Sequence, residues 1–234
     1  MLTWSEFYNQ FSLQLNEQQQ SAVQSVTGPV LLLAVPGSGK TTVLVTRLGY
    51  MIFCRGIAPE KILTVTYTVA ATKDMSERFA SRFGQDLADC LEFRTINGIC
   101  ARVIQYYGRK TARTAFSLLT DEKRISTILS AIYQKTEQVY PTDGDLKNVR
   151  TLITYIKNRM LNEKEIEALD ETAEIRISAI YKEYCKHLRE NQLMDYDDQM
   201  VYAYNMLRKI PWLLEYFQDQ YSYICVDEAQ DTSK

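Results

Sequence analysis

The chain has 234 residues, enough to bury one large core or two smaller ones. With 46% hydrophobic and 24% charged residues, 9 Gly and 5 Pro, its composition excludes fibrous, low-complexity and disordered classes. A net charge of -2 and a pI near 5.6 exclude a uniformly basic nucleic-acid binder, so any such contact must come from a local surface.

The N-terminus, MLTWSEFYNQ, has neither a basic leader nor a long apolar run, and no apolar stretch approaches the roughly 20 residues of a membrane span. Five scattered cysteines (Cys54, Cys90, Cys100, Cys185, Cys225) without a CxxC pair fit free thiols in a reducing compartment. A cytoplasmic location is therefore expected. His187 is the single histidine and reads as structural; with no Cys–His spacing, no zinc site is expected.

In chain order, LNEQQQSAVQSV (15–26) reads as a short amphipathic helix with Asn16 as its N-cap. VLLLAV (30–35) is a continuous apolar run, the pattern of a strand buried on both faces of a parallel sheet. A glycine-rich turn follows, then helical periodicity from Thr41 to about Phe53. KILTVTY (61–67) predicts a second buried strand, 70–83 a helix, CLEFRTI (90–96) a weaker strand, and a further helix runs to about Gly108. Strand and helix in alternation predict an α/β domain with a parallel sheet.

From about 109 to 192 only helical periodicity remains, at 120–138, 144–159, 163–168 and 172–191, with PTDG (141–144) as a turn. Helices at 195–209 and 212–219 and a buried strand at 221–226 complete the chain. The expected organisation is one α/β domain, residues 1–107 and 192–234, interrupted by a helical subdomain over 108–191.

AVPGSGKTT (34–42) sits between a predicted strand and a predicted helix, the context of a phosphate-binding loop. Backbone N–H groups of such a loop, with a helix N-terminus behind them, form a concave anion site. Gly37 and Gly39 allow close backbone approach, Lys40 reaches the β- and γ-phosphates, and the Thr41 hydroxyl is a magnesium ligand. The first position of the full pattern is Ala34 where glycine is usual. Far along the chain, 187 positions after Lys40, ICVDEAQDTSK (224–234) ends a strand in two carboxylates. Asp227 is placed to orient magnesium and Glu228 to take a proton from an attacking water.

LNEQQQSAV, AVPGSGKTT, TVTYTVAAT, FRTINGIC, LMDYDDQMV and VDEAQDTS occur in the order and rough spacing of superfamily 1 DNA helicases of the UvrD/Rep type, a family that includes the helicase-nuclease subunits AddA and RecB. The resemblance implies a RecA-like P-loop NTPase domain interrupted by a helical insertion, with ATP and Mg2+ as cofactors. It places the nucleotide against Gln19, Pro36, Gly37, Ser38, Gly39, Lys40, Thr41 and Thr42, with Gln19 on the adenine. Magnesium falls to Thr41 and Asp227, catalysis to Lys40 and Glu228, and coupling of the nucleotide site to its neighbours to Gln230. Single-stranded DNA falls to Thr66, Tyr67 and Thr68 in TVTYT and to Thr95 and Asn97 in TING. Val69, Ala70, Asn97 and Gly98 depart from the family pattern, at the DNA-contacting motifs and not at the ATP loop.

Tyr67 shares strand parity with Leu63 and Val65, so a core tyrosine and a base-stacking one are both open readings. Lys147, Arg150 and Lys157 fall on one helical face, which suits DNA or simply a solvated surface. The resemblance implies an N-terminal part of a longer helicase active in DNA repair, translocating 3′ to 5′ on single-stranded DNA and acting at a duplex junction with a second motor domain. Residues 1–234 alone are expected to bind Mg-ATP weakly, hydrolyse it very slowly and unwind nothing. Two alternatives are a helicase-nuclease subunit and a P-loop regulatory protein that never touches DNA.

Overall fold

The computed structural model describes residues 1–35 and 37–229. Residue contacts divide the chain into two compact units: Met1–Gly98 with the stretch from Trp212 onward, and Ile99–Pro211. The breaks fall inside one helix and one residue into another, whereas the sequence pattern placed them near 107 and 192.

The first unit is built on a parallel sheet of three strands, β1 (Ile62–Thr66), β2 (Glu92–Thr95) and β5 (Tyr223–Val226), in the order β2-β1-β5. All five residues of β1 are buried, because it is flanked on both edges and covered on both faces. Thr64 pairs with Phe93 on one side and Cys225 on the other, which fixes the register of all three strands. Around the sheet lie α1 (Trp4–Gln10), α2 (Glu17–Gln24), α3 (Lys40–Phe53), α4 (Val69–Phe83) and α5 (Gln85–Cys90). Asn16 caps α2 as expected, accepting from the Gln19 N–H while the Gln19 side chain answers at the Asn16 N–H. The core is rich in aromatic rings: Phe7, Phe11, Phe53, Phe79 and Phe83 meet at centroid separations between 4.8 and 6.1 Å.

One expected element is not formed. Residues 30–35 make no strand, and their side chains are largely exposed, Leu31 at 75% and Leu33 at 83%. The reason is non-local. A strand exists only through its ladder, and among the described residues 30–35 have no strand partner. Ile224 and Val226 of β5 are exposed as well.

The chain passes to the second unit through α6 (Ile96–Thr111), the helix expected to end near Gly108. There α7 (Glu122–Glu137), α8 (Asp143–Arg159), α9 (Glu163–Ala173) and α10 (Ile177–Glu190) enclose their own core around Leu129, Ile156, Ile177 and Ile180. Thr142 and Asn162 begin α8 and α9 with capping boxes. The stretch expected to be wholly helical also contributes a short strand, β3 (Ser117–Leu118), paired in parallel with β4 (Leu193–Met194) just beyond it. Then follow α11 (Tyr196–Lys209) and α12 (Pro211–Gln220), the latter leading to β5. The five cysteines are free, and among the described residues no helix is long and apolar enough to cross a membrane.

The basic face expected on α8 is dismantled. Arg150 is ion-paired with Glu122, and Lys157 is 3% exposed, its Nζ lying 2.6 Å from Asp195 and 2.8 Å from Asp198. Burial works against the ammonium, but the two carboxylates outweigh it and hold Lys157 above its ordinary range. The Thr154 hydroxyl donates to Asp197 at 2.7 Å, so two residues one helical turn apart clamp α8 to the start of α11. Removing one partner of a buried ion cluster strands the others. Lys157→Ala is therefore expected to destabilise the protein by about 3–5 kcal/mol, while Lys157→Met combined with Asp195→Asn and Asp198→Asn costs far less. Urea denaturation of the two variants measures the difference.

Candidate nucleotide site

The phosphate loop is shaped by its glycines. Gly37 and Gly39 take φ of 79° and 85°, values that only glycine adopts without strain. Gly39 is the N-cap of α3, and its carbonyl accepts the Val43 N–H at 3.0 Å. The Ser38 N–H and hydroxyl both donate to the Val35 carbonyl, at 3.1 and 2.7 Å, closing the turn. Lys40, Thr41 and Thr42 form the first turn of α3, so the helix N-terminus, with its unpaired N–H groups and positive dipole end, opens directly behind the loop.

The sheet brings the second half. The Asp227 N–H donates to the Val65 carbonyl at 2.9 Å, prolonging the β1–β5 ladder by one bond. Burial, and next the charge of Glu228, push the Asp227 carboxyl above its usual range. Glu228 adopts a left-handed backbone with φ 51°, a conformation costing about 1–3 kcal/mol in a residue other than glycine. In it the Glu228 carboxylate meets Lys40: Nζ lies 3.0 Å from each oxygen. The loop lysine and the acidic pair are thus one constellation.

Arg47 was not singled out from sequence. Its guanidinium donates to the Ala22 carbonyl at 2.8 Å, tying α3 to α2, and its charge works against the burial that raises the Cys225 thiol on β5, just upstream of Asp227. An arginine in the middle of an amphipathic helix gives no local sign of such a role. Pro36 and Gln230 lie outside the described residues.

The residues assigned to DNA divide. Tyr67 follows the end of β1 and is 61% exposed, which removes the core reading. Thr68 is exposed and caps α4, its hydroxyl accepting the Ala71 N–H at 3.0 Å. Thr66 is 1% exposed, its hydroxyl committed to Thr72 and to the Thr68 carbonyl. It therefore stiffens the turn and presents no side chain to a ligand. The Thr95 hydroxyl accepts the Gly98 N–H at 3.0 Å, organising the start of α6, and beside it the Asn97 Oδ1 is buried without a hydrogen-bond partner.

Residues 15–234 match the family model described as UvrD/REP helicase N-terminal domain. The chain belongs to that family. Among curated proteins it is 32% identical over 232 residues to the ATP-dependent DNA helicase PcrA of Bacillus subtilis, which covers 97% of this chain. It is 29% identical over 223 residues to the proteins of the same name from Staphylococcus aureus and Staphylococcus epidermidis, at 94% coverage. The chain spans about 30% of the length of these relatives. Membership in the UvrD/REP family accounts for the mixed α/β architecture with a parallel sheet.

The donor set suits magnesium by its chemistry. The Thr41 hydroxyl and the Asp227 carboxylate are hard oxygen ligands, and a cation would relieve the pressure that burial and Glu228 place on Asp227. Lys40 and Glu228 are about one-third exposed, at 30% and 37% for their side chains, so their ion pair is worth at most about 1 kcal/mol. Phosphate therefore has only a weak competitor for Lys40. Lys40→Ala is expected to abolish Mg-ATP binding in a calorimetric titration, while Glu228→Gln retains it or tightens it by no more than about fivefold.

Proposed function

We propose that this chain is the ATP-binding motor part of an ATP-dependent DNA helicase that moves 3′ to 5′ along single-stranded DNA. The observation that carries the reading is the meeting of Lys40 and Glu228, residues 188 positions apart, at the mouth of a glycine loop and a helix N-terminus. The names of the relatives in Bacillus and Staphylococcus support the same reaction class.

In this reading the loop N–H groups and Lys40 hold the β- and γ-phosphates, and Thr41 and Asp227 hold Mg2+, which when bound neutralises charge on the phosphate oxygens. Water attacks the γ-phosphorus, the bond to the β-phosphate oxygen breaks, ADP departs, and Glu228 accepts the proton from the water. Glu228 can do this once the phosphates have taken Lys40 from it. Gln230 links this chemistry to the DNA path. Residues 1–107 and 192–234 serve as the RecA-like motor and 108–191 as its helical insertion. An arginine finger is worth about 10³–10⁵ in turnover, and the family places it in a second motor domain. Residues 1–234 alone accordingly bind Mg-ATP weakly, hydrolyse it slowly and unwind nothing.

Single-stranded DNA runs over Tyr67, Thr68, Thr95 and Asn97, with a base stacked on the exposed Tyr67 ring. Such stacking contributes about 1–3 kcal/mol per base, so Tyr67→Ala is expected to weaken binding of an oligothymidine about 5- to 150-fold. Binding should fall steeply with salt, as phosphate contacts require. Fluorescence anisotropy across a salt series reads both. No binding at low salt would leave a nucleotide-binding protein without DNA activity.

A further inference from the structure

Gln19 is held at both ends of its side-chain amide. The Asn16 N–H donates to its Oε1 at 3.0 Å, and its Nε2 donates to the Ser38 carbonyl at 3.0 Å. An N–H can only donate and a carbonyl can only accept, so the two partners agree on one orientation of the amide. The contact joins the N-cap of α2 to the phosphate loop across 19 residues. Gln19, Ser38 and Lys40 line one groove of about 280 Å³ with Asn16 and Val43.

The bond matters because of the peptide it holds. In a trans peptide the carbonyl and the following N–H point in opposite directions. Holding the Ser38 carbonyl toward α2 therefore aims the Gly39 N–H away from α2. Gly37 and Gly39, both at positive φ, flank this stretch with no side chain within 3.4 Å of a substituent except Gln19 itself. A loop of that composition reorients its peptides at little cost, so its geometry needs an external hold.

Resting on the nucleotide-site reading above, we infer that Gln19 is a positioning residue for the phosphate loop, fixing the Ser38–Gly39 peptide whatever base the nucleotide carries. The role implied by resemblance, contact with adenine, uses the N–H and lone pair that these two bonds leave over. Holding the loop is a separate task and serves the phosphates.

Two substitutions separate the tasks. Gln19→Glu keeps an oxygen for the Asn16 N–H, so α2 retains its capping box, but it cannot donate to Ser38. Gln19→Met removes the donor without adding charge. Calorimetric titration with Mg-ATP, Mg-GTP and base-free Mg-tripolyphosphate compares each variant with the unaltered chain. Both variants are expected to weaken base-free Mg-tripolyphosphate by about 2–10-fold, the worth of one hydrogen bond, and the two nucleotides by at least as much. Loss of ATP affinity with tripolyphosphate affinity unchanged would make Gln19 a base reader and overturn the inference. An effect of Gln19→Glu that Gln19→Met does not share would reduce it to charge repulsion and overturn it equally. If the unaltered chain binds none of the three probes, the nucleotide-site reading itself fails.

Discussion

The ladder that β1 makes on both its edges is the constraint on which the rest depends. β1 carries no catalytic side chain, yet its pairing with β5 sets where Asp227 and Glu228 emerge, and its pairing with β2 sets where Thr95 and Asn97 emerge. Because the strands are parallel, their C-terminal ends lie along one border of the sheet, where ligands of open α/β sheets gather. Tyr67 and Thr68 leave β1 at that same border. A shift of one residue in the β1–β5 register would turn every β5 side chain to the opposite face and carry the acidic pair away from Lys40. Arg47 lies behind this alignment, donating to the Ala22 carbonyl on α2 with its charge felt at Cys225 on β5.

How much of this could be read in advance depends on the range of the interaction concerned. Asn16 was legible because a capping box is local: four residues supply both donors and both acceptors. The helices of the second unit were legible because one apolar stripe repeats along each. The strand at 30–35 misled because apolar runs report what a segment would do beside a partner, and among the described residues it has none. Tyr67 stayed undecided in the sequence for a related reason. Alternation along KILTVTY assumes that the strand continues, but the ladder ends at Thr66, and one residue beyond it parity no longer decides burial. Lys157 shows the same limit in charge. On a helical wheel it belongs to a basic face, and only Asp195 and Asp198, about 40 residues on, turn it inward.

The candidate nucleotide residues were more legible than those proposed for DNA, and the physical reason is the kind of group involved. A phosphate loop works through backbone N–H groups and glycine dihedrals, which the sequence GSGKTT specifies almost completely. Base stacking needs an exposed aromatic, and exposure is a property of the finished fold. Thr66 illustrates the contrast: the same residue type as Thr68, two positions away, is sealed in the turn while Thr68 caps the helix in solvent. The residue near the site that sequence reasoning did not find, Arg47, holds another element in place. Its partner is a backbone carbonyl, a group that leaves no pattern in the sequence.

Glu228 concentrates the consequences of this arrangement. Its left-handed backbone is a local cost that its neighbours must sustain, and the ion pair with Lys40 is too exposed to repay it alone. What that conformation achieves is to aim a carboxylate at the point where α3, the glycine loop and β5 converge. A carboxylate in that position serves two purposes with one geometry. In the proposed reading it occupies Lys40 until a phosphate competes for the ammonium, and it then stands beside that phosphate to accept a proton. The weakness of the ion pair suits that reading: a tighter, buried pair would shield Lys40 from a nucleotide. The left-handed turn and the partial exposure are two sides of a site that must be held together and still open.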